Sequence, residues 1–403
     1  MARNVWIGIL VIVGLAIVGY FAYPTLKGIA PILSPTPPLR GESLPFNVPN
    51  GFRATLYTSD APGARVIVRD PDNTIVASLM NEGEIAAYPD ENGDGIADER
   101  ISILTGLDSP HGIQFRCGVL GTLTDNPDEC YLFVAEESRV AMYSYNAETN
   151  SASFERTLIE LPDDGGHFTR SLFLHPDGKR LLVSIGSSCN VCIEADERRA
   201  AILAVDMVTG DYTVYAKGLR NTVFMALNPL DGTLWGTDMG RDWLGDDIPP
   251  DEVNIIREGG NYGWPICYGK NVHDTDFDKN TYIRDPCSEP FETPPLVDIP
   301  AHSAPLGIAF LFGYGWPLAY RGSALVAYHG SWNRSEPAGY KIVRVPVDES
   351  GAVGEPLDFM TGFLTSDGTV LGRPAGIMAE PNAVYVTDDR ADAIYMISYT
   401  GGI

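Results

Sequence analysis

The chain has 403 residues, 44% of them hydrophobic and 20% charged, which is enough for one large buried core or two smaller ones. Its formal net charge of −25 argues against a nucleic-acid partner, because phosphate binding needs clustered lysine and arginine. The 42 glycines and 30 prolines favour many short strands joined by tight turns over long helices.

The N-terminus contains an apolar segment. Residues 5–23 form a run of uncharged residues long enough to cross a bilayer, so we expect a transmembrane helix within residues 1–23. A removed signal peptide is the alternative, but Pro31 follows the nearest small-residue cleavage site. Arg3 precedes the span and predicts a cytoplasmic N-terminus, with the rest of the chain outside the cytoplasm. The Pro-rich residues 24–45 predict an extended linker.

From residue 46 to residue 403 a repeat recurs, in which an apolar strand, a turn rich in Pro, Asp, Asn or Gly, and a second apolar strand follow one another. The copies are Arg65–Tyr88, His111–Tyr145, His167–Asp206, Arg220–Ile256, His302–Val345 and Arg373–Tyr399. Short-strand repeats of this length predict an all-β fold, a six-bladed β-propeller. A pair of β-sandwiches is the alternative.

The six cysteines fall into three pairs that are close in sequence. They are Cys117/Cys130, Cys189/Cys192 and Cys267/Cys287. Such spacing is typical of disulfides that staple loops in an oxidising compartment. A metal or redox role is the alternative. Ile193 follows the C-x-x-C motif where haem attachment needs histidine, and no second C-x-x-C completes a zinc site.

The fourth repeat carries the densest set of polar groups. A predicted hairpin, with strands over 222–227 and 233–237, follows Arg220 and Asn221, and a Gly-Arg-Asp turn and an acidic loop come after it. Guanidinium donors, turn carbonyls and carboxylates at strand ends can together hold an anionic cofactor and a hard cation.

The motifs GLRN, DE-x-N-x-I and GGNYGWP occur in this order between residues 218 and 265. In this series the chain resembles the glucose/sorbosone dehydrogenase family, whose members use pyrroloquinoline quinone (PQQ) and calcium on a six-bladed propeller. Gly166 and Ser187 stand where the family often has a carboxylate near its histidine, and Val223 replaces a polar residue. These differences favour the sorbosone-dehydrogenase-like branch.

Residues just before the first strand of successive repeats should surround one mouth of the central channel. They are His111, His167, Arg220 with Asn221, His302 and Arg373. His167 is the candidate general base, since it matches the family's catalytic histidine and a neutral imidazole can accept a proton. The alternative is that it caps a turn or packs in the channel. His111, His302 and Trp332 are expected to line the substrate pocket.

The resemblance also implies ligands for the cofactor and the metal. Arg220, Asn221 and Arg373 would contact the carboxylates and carbonyls of PQQ, and Arg334 would be the remaining basic contact. For each arginine a surface ion pair is the alternative. Calcium would be bound by the backbone carbonyls of Gly240 and Arg241.

A second calcium site is predicted between the first repeat and the second. Asp90, Asn92, Asp94 and Asp98 alternate as in a calcium loop, with Gly at the sixth position. The twelfth position is Ile101 where an EF-hand has Glu, so an acidic β-turn is the alternative.

Together these features predict a membrane-anchored, outward-facing dehydrogenase that depends on PQQ and calcium. Its substrate would be an aldose or a sugar aldehyde, and its electrons would pass to a membrane quinone or a cytochrome. A calcium-dependent lactonase and a non-catalytic propeller that binds protein or glycan are the alternatives. The lactonase would hold its metal with Glu, Asn and Asp side chains.

Overall fold

The computed structural model describes residues 44–118, 126, 129–290, 292–348 and 350–401. The predicted transmembrane helix and nearly all of the predicted linker lie outside these ranges. None of the helices within them has the length and apolar character needed to cross a bilayer. The described residues form an all-β, six-bladed propeller, which confirms the prediction and rules out paired sandwiches.

Strand β1 (Phe52–Thr58) comes first in the chain but belongs to the last blade. Blades 1 and 2 follow, each with four antiparallel strands in chain order. They are β2 (Ala64–Arg69), β3 (Ile75–Leu79), β4 (Glu84–Tyr88) and β5 (Ile101–Leu104), then β6 (Ile113–Cys117), β7 (Cys130–Ala135), β8 (Arg139–Asn146) and β9 (Ser151–Glu160). A short 3-10 helix, Met80–Glu82, follows β3.

Blade 3 starts with β10 (Arg170–Leu174), β11 (Arg180–Ile185), β12 (Ala201–Asp206) and β13 (Tyr212–Lys217). Blade 4 starts with β14 (Thr222–Leu227), β15 (Leu234–Asp238) and β16 (Asp251–Ile256). An insertion then holds β17 (Gly260–Asn261), β18 (Cys267–Tyr268) and β19 (Val272–His273) before β20 (Val297–Ile299) completes blade 4. Within the insertion, β17 pairs with β13, and β18 pairs with β19.

Blade 5 is β21 (Pro305–Phe310), β22 (Ala324–Tyr328), β23 (Lys341–Val345) and β24 (Leu357–Met360), with a 3-10 helix, Leu318–Tyr320, before β22. Blade 6 contains β25 (Pro374–Ala379), β26 (Ala383–Asp388) and β27 (Ala393–Tyr399). Its fourth, outermost strand is β1, which pairs antiparallel with β27 in the register Phe52 to Tyr399. The ring is therefore closed by hydrogen bonds between the two ends of the propeller.

The core consists of apolar clusters between neighbouring blades. Between blades 2 and 3, for example, Phe133 and Leu203 are fully buried, and between blades 4 and 5 Val253 and Val326 are fully buried. Strands β3 and β4 are buried along their whole length, because a blade is covered on both faces. This two-sided burial explains why the repeats read as continuous apolar runs.

The six predicted repeats are confirmed, since each begins within three residues of the start of the inner strand of one blade. The inner strands β2, β6, β10, β14, β21 and β25 pack against one another around the central channel. The residues before each inner strand and those after the second strand of the same blade meet at one end of it. We call this end the channel mouth.

Candidate functional site

A cavity at the channel mouth brings together five residues that the sequence had suggested. They are His167, Arg220, Gly240, His302 and Trp332. Five further residues line the same cavity, namely Met239, Asp242, Asp251, Ala304 and Asn333. The ten lining residues come from the ends of blades 3, 4 and 5, and half of them besides His167 bring polar side chains, namely Arg220, Asp242, Asp251, His302 and Asn333.

His167 is held by the end of the neighbouring strand β11. Its backbone N–H donates to the carbonyl of Ser187 at 3.0 Å, and its Nδ1 lies 3.1 Å from both the carbonyl and the hydroxyl oxygen of Ser187. Burial, and next the positive charge of Arg220, lower the pKa of His167 to about 3. The ring is therefore neutral near pH 7. With Nδ1–H donating to Ser187, Nε2 carries the lone pair that can accept a proton.

The side chains of His167 and Asn221 lie against Gly186. A Cβ on Gly186 would come within 2.4 Å of Asn221 Oδ1 and 2.6 Å of His167 Cβ, so only glycine fits there. Among the described residues, the buried Asn221 Oδ1 has no hydrogen-bond partner. A buried acceptor without a donor is costly, so this oxygen suits a ligand that carries one.

Arg220 is fixed by the loop that follows β11 and by the turn after β15. Its guanidinium donates to the carbonyl and to Oδ1 of Asn190, both at 2.9 Å, and to the carbonyl of Gly240 at 2.8 Å. It also pairs with the carboxylate of Asp242 at 3.1 Å. The charge of Arg220 thus lies next to His167 in a fixed orientation.

Asp238, at the end of β15, holds the start of β14 in place. Its carboxylate accepts the N–H groups of Arg220 and Asn221 at 3.1 and 2.9 Å and the hydroxyl of Thr222 at 2.8 Å. Burial raises the pKa of Asp238 to about 7, although these hydrogen bonds oppose the shift. The carboxylate thereby orients the Arg-Asn pair toward the mouth.

A second basic group lies between blades 5, 6 and 1. Arg373 donates to the carbonyls of His329 and Gly330 at 3.1 and 2.5 Å. The carboxylate of Asp389 lies 3.0 Å from Nε of Arg65 and 2.9 Å from Nε2 of His329. The side chains of this three-residue network are only 10–11% exposed. The loop that carries His329 continues to Trp332 and Asn333, so it joins this group to the cavity at His167.

The remaining predicted pocket and cofactor residues occupy different surroundings. His302 donates from Nε2 to the carbonyl of Gly245 at 2.8 Å and lines the cavity. Arg334 lies beside the cavity lining, where it donates to the carbonyl of Asp246 and pairs with Asp247 at 3.1 Å. The ion pair with Asp247 is the alternative that the sequence left open for Arg334, and its contact with PQQ stays a prediction.

His111 precedes β6 but does not line the cavity at His167. It is fully buried, with Nδ1 3.3 Å from the carbonyl of Arg170 and its ring edge-on to Phe224. Burial, and next the charge of Arg65, lower the pKa of His111 to about 3. Its Nε2 has no hydrogen-bond partner among the described residues.

The turn of Gly240 and Arg241, which is predicted to bind calcium, is held by contacts at both residues. The N–H of Gly240 donates to Asp251 at 2.9 Å, and the side chain of Arg241 forms an ion pair with Asp274 of the insertion at 2.6 Å. The carbonyl of Gly240 already accepts Arg220. A carbonyl oxygen has two lone pairs, so this contact leaves one for a cation.

The loop proposed as a second calcium site follows β4 and lies away from the mouth, against β27. The oxygens of Asp90 accept the N–H groups of Asp94 and Gly95 at 3.1 and 2.9 Å. Asn92 Oδ1 accepts the N–H of Asp94 at 2.8 Å, and Asp98 Oδ2 accepts the N–H of Glu91 at 2.7 Å. Each of these oxygens thus accepts a hydrogen bond within the loop and keeps a further lone pair for a cation.

The three predicted disulfides are all present, Cys117–Cys130, Cys189–Cys192 and Cys267–Cys287. The first joins opposed residues of β6 and β7, and the third closes the insertion of blade 4. The Cys189–Cys192 loop carries Asn190, the partner of Arg220. This disulfide therefore limits the movement of the loop that orients the arginine.

Sequence reasoning missed several residues of the mouth. They are Arg65, Asn190, His329, Asn333 and Asp389. His329 and Asp389 directly follow the second strands of their blades, β22 and β26. A polar residue at the end of the second strand of each repeat was the available signal, because that position faces the residue before the inner strand.

A family model described as TrAA12-like matches residues 46–400, a range that takes in all six blades. The chain belongs to the TrAA12-like family. The match confirms the resemblance to PQQ-dependent sugar dehydrogenases suggested by the sequence. A Borreliella burgdorferi protein named only as uncharacterised is 32% identical over 362 residues, which are 88% of this chain and 91% of that protein.

Other relatives have more informative names. A PQQ-dependent pyranose dehydrogenase of Coprinopsis cinerea is 24% identical over 419 residues, covering 89% of this chain. The chain spans only 55% of that relative's length. A solved structure of a Trichoderma reesei protein of family AA12 has a TM-score of 0.73 at 21% identity, covering 90% of this chain and all of that one. At this identity the likeness shows the shared fold.

Proposed function

We propose that the propeller, residues 46–403, is a PQQ-dependent dehydrogenase that oxidises a hydroxyl group of an aldose or a related sugar. The observation that carries the proposal is the pairing, in one cavity, of a neutral His167 with the fixed guanidinium of Arg220. The PQQ-dependent relatives of the family support the choice of cofactor.

The residues of the mouth suit an anionic quinone with carboxylate groups. In a chain of net charge −25, this end of the channel collects Arg65, Arg220 and Arg373. Arg373 donates to backbone carbonyls and has no carboxylate within ion-pair distance among the described residues. Its charge is thus free to pair with a ligand carboxylate, and the buried Asn221 Oδ1 can accept a ligand donor.

In this proposal His167 accepts the proton of the sugar hydroxyl at Nε2, while Ser187 keeps the other nitrogen protonated and fixes the ring. As the O–H bond breaks, a carbonyl forms at the sugar carbon, which loses its hydrogen as hydride. PQQ, when bound, supplies the acceptor for that hydride. Asp238 and Asn190 keep Arg220 and Asn221 oriented beside the reacting groups.

We also propose that calcium binds at the carbonyls of Gly240 and Arg241. Gly240 lines the cavity together with Asp242 and Asp251, whose carboxylates add negative charge beside this turn. The loop of Asp90, Asn92, Asp94 and Asp98 is a second proposed calcium site, remote from the channel mouth. Hard oxygen ligands suit Ca²⁺ at both places.

The proposed location is outside the cytoplasm, with residues 1–23 as a membrane anchor and residues 24–45 as its linker. The three disulfides support an oxidising compartment. In that location a membrane quinone or a cytochrome would take the electrons. A removed signal peptide would give a secreted enzyme with the same active site.

Turnover with sugars tests the proposed function. The full chain, freed of metal and cofactor, is mixed with PQQ, with and without CaCl₂, and dye reduction is followed with a panel of aldoses. We expect reduction that requires both the sugar and PQQ and that increases with calcium. Absence of turnover with every aldose, despite bound PQQ, would contradict the proposal, and lactone hydrolysis and glycan binding would be assayed next.

A further inference from the structure

Two indole rings lie in contact at the rim of the cavity. Trp332 lines the cavity with His167 and is 38% exposed, whereas Trp243 lies outside the lining and is 62% exposed. Their ring centroids are 5.2 Å apart and their planes meet at 84°. An apolar surface therefore continues from the cavity toward solvent. Burial in the core does not explain the position of Trp243.

The backbone at Trp243 has a conformation that large residues rarely adopt. Its φ is +72°, in the left-handed region, which disfavours a side chain of this size. Such outliers persist where neighbouring contacts fix the chain, and they concentrate at functional sites. Here the preceding Asp242 is fixed on both sides by Asn190, whose Oδ1 accepts the N–H of Asp242 at 2.7 Å and whose Nδ2 donates to its carbonyl at 3.0 Å.

The carboxylate of Asp242 is fixed as well. It accepts Arg220 at 3.1 Å and the Nδ2 of Asn333 at 2.9 Å. These contacts hold Trp243 in its exposed, left-handed position instead of leaving it in a loose loop. The buried Oδ1 of Asn333 has no hydrogen-bond partner among the described residues. An acceptor for a hydroxyl group thus lies next in sequence to the indole of Trp332.

An aromatic surface beside a hydroxyl acceptor matches the chemistry of a sugar ring. A pyranose presents an apolar face of C–H groups, which packs on an indole, and a rim of hydroxyls, which needs polar partners. A ring whose hydroxyl reaches His167 would pack beside Trp332. Trp243 then lies one ring further out, where a monosaccharide does not extend.

We propose that Trp243 forms an outer subsite for a second sugar ring, so that the protein also acts on the reducing-end ring of disaccharides and longer oligosaccharides. This inference rests on the proposed function and names a substrate class for it. Trp332 serves the inner ring, and Asp242, held by Asn190 and Asn333, positions Trp243.

The test compares D-glucose with maltose and cellobiose, which carry glucose at their reducing ends. Loss of a stacking contact at Trp243→Ala is expected to raise KM for the disaccharides about tenfold, with kcat retained. The KM for glucose should change less than about twofold, because the inner ring does not contact Trp243. Trp243→Phe should retain most of the disaccharide affinity, since it keeps an aromatic face.

Tyr314→Ala is the matched control. Tyr314 is 84% exposed but follows the far end of β21, away from the mouth. The KM and kcat of this variant for all three sugars should therefore equal those of the wild type. If Trp243→Ala changes KM equally for glucose and the disaccharides, or changes neither, the proposed subsite is rejected.

A binding measurement separates this inference from the proposed function. Titration of the PQQ-free chain with cellobiose should change the intrinsic tryptophan fluorescence of the wild type and of Tyr314→Ala, whereas Trp243→Ala, in which Trp332 still senses the inner ring, should need about tenfold more cellobiose for half the change. If no sugar is oxidised, the proposed function fails, and this titration alone decides the subsite. Identical titrations of the wild type and Trp243→Ala would reject it.

Discussion

Replacement of His167 by alanine is expected to lower kcat for sugar oxidation by about 10² to 10⁴-fold, the usual contribution of a positioned general base. The imidazole is the neutral base of the cavity, and Ser187 holds its Nδ1 at 3.1 Å. Steady-state dye reduction with the PQQ-loaded chain measures the loss. Because the ring takes no part in holding Arg220, PQQ affinity should change much less than kcat.

His175→Ala is the matched control for this prediction. His175 follows the opposite end of the same strand, β10, where its Nδ1 lies 2.9 Å from Asp177. Its loss should leave kcat within about twofold of the wild type, since it is far from the reacting groups. Equal activity of the His167 and His175 variants would remove His167 from the mechanism.

The pH dependence follows from the lowered pKa of His167, which burial and then Arg220 reduce to about 3. An unfolded histidine titrates near pH 6.5, so the buried neutral ring contributes its full stabilisation above about that value and loses it as the pH falls toward 3. In the ligand-free protein we expect the NMR resonance of the His167 ring to stay constant from about pH 8 to about pH 5. A titration midpoint near 6.5 would contradict this expectation.

Replacement of Asp389 by alanine is expected to lower the free energy of unfolding by about 3–5 kcal/mol, because it leaves the buried charge of Arg65 without its partner. Burial alone would raise the pKa of Asp389, but Arg65 and His329 outweigh burial and hold it below its usual range. The ionised carboxylate thus joins β2 of blade 1 to the loop after β22 of blade 5. Urea unfolding, followed by circular dichroism near pH 7, measures the loss.

Asp358→Ala is the control, because it breaks an ion pair between a basic side chain and a carboxylate that lies at the surface. Lys341 and Asp358 are 33% and 59% exposed, so breaking this pair should cost only about 0–1 kcal/mol. Asp389→Asn keeps the shape of the side chain and an acceptor oxygen for His329. Its loss of unfolding free energy should therefore lie between the losses of the two alanine variants. A cost for Asp389→Ala no larger than that for Asp358→Ala would show that the buried network does not stabilise the ring.

The six blades could be predicted from the sequence because the inner strands are apolar and turn residues separate each of them from the next strand. The outer strands were harder to find. Strand β9 is largely exposed, and β1 lies at the other end of the chain from its partner β27. Ring closure depends on a pairing between residues that are distant in sequence, and local periodicity holds no information about it.

The residues of the candidate site divide in the same way, into those that the local sequence predicts and those whose role depends on contacts between distant parts of the chain. His167, Arg220 and His302 were found because they precede inner strands, a position that one repeat reveals by itself. The contact of Asp389 with Arg65 depends on closing the ring between blades 6 and 1. The role of Asn190 depends on the folded disulfide loop that brings it to Arg220. Neither relation could be read from a single repeat.

Direct binding of PQQ tests the central claim. Calorimetric titration of the full chain with PQQ in the presence of CaCl₂ should show saturable binding, weakened at least about tenfold in Arg373→Gln by loss of a charge-assisted contact. Arg321→Gln is the matched control, since Arg321 also donates to a backbone carbonyl, that of Trp316, but beyond the far end of β21. No binding by the wild type, or equal affinities in both variants, would contradict a quinone site at the channel mouth.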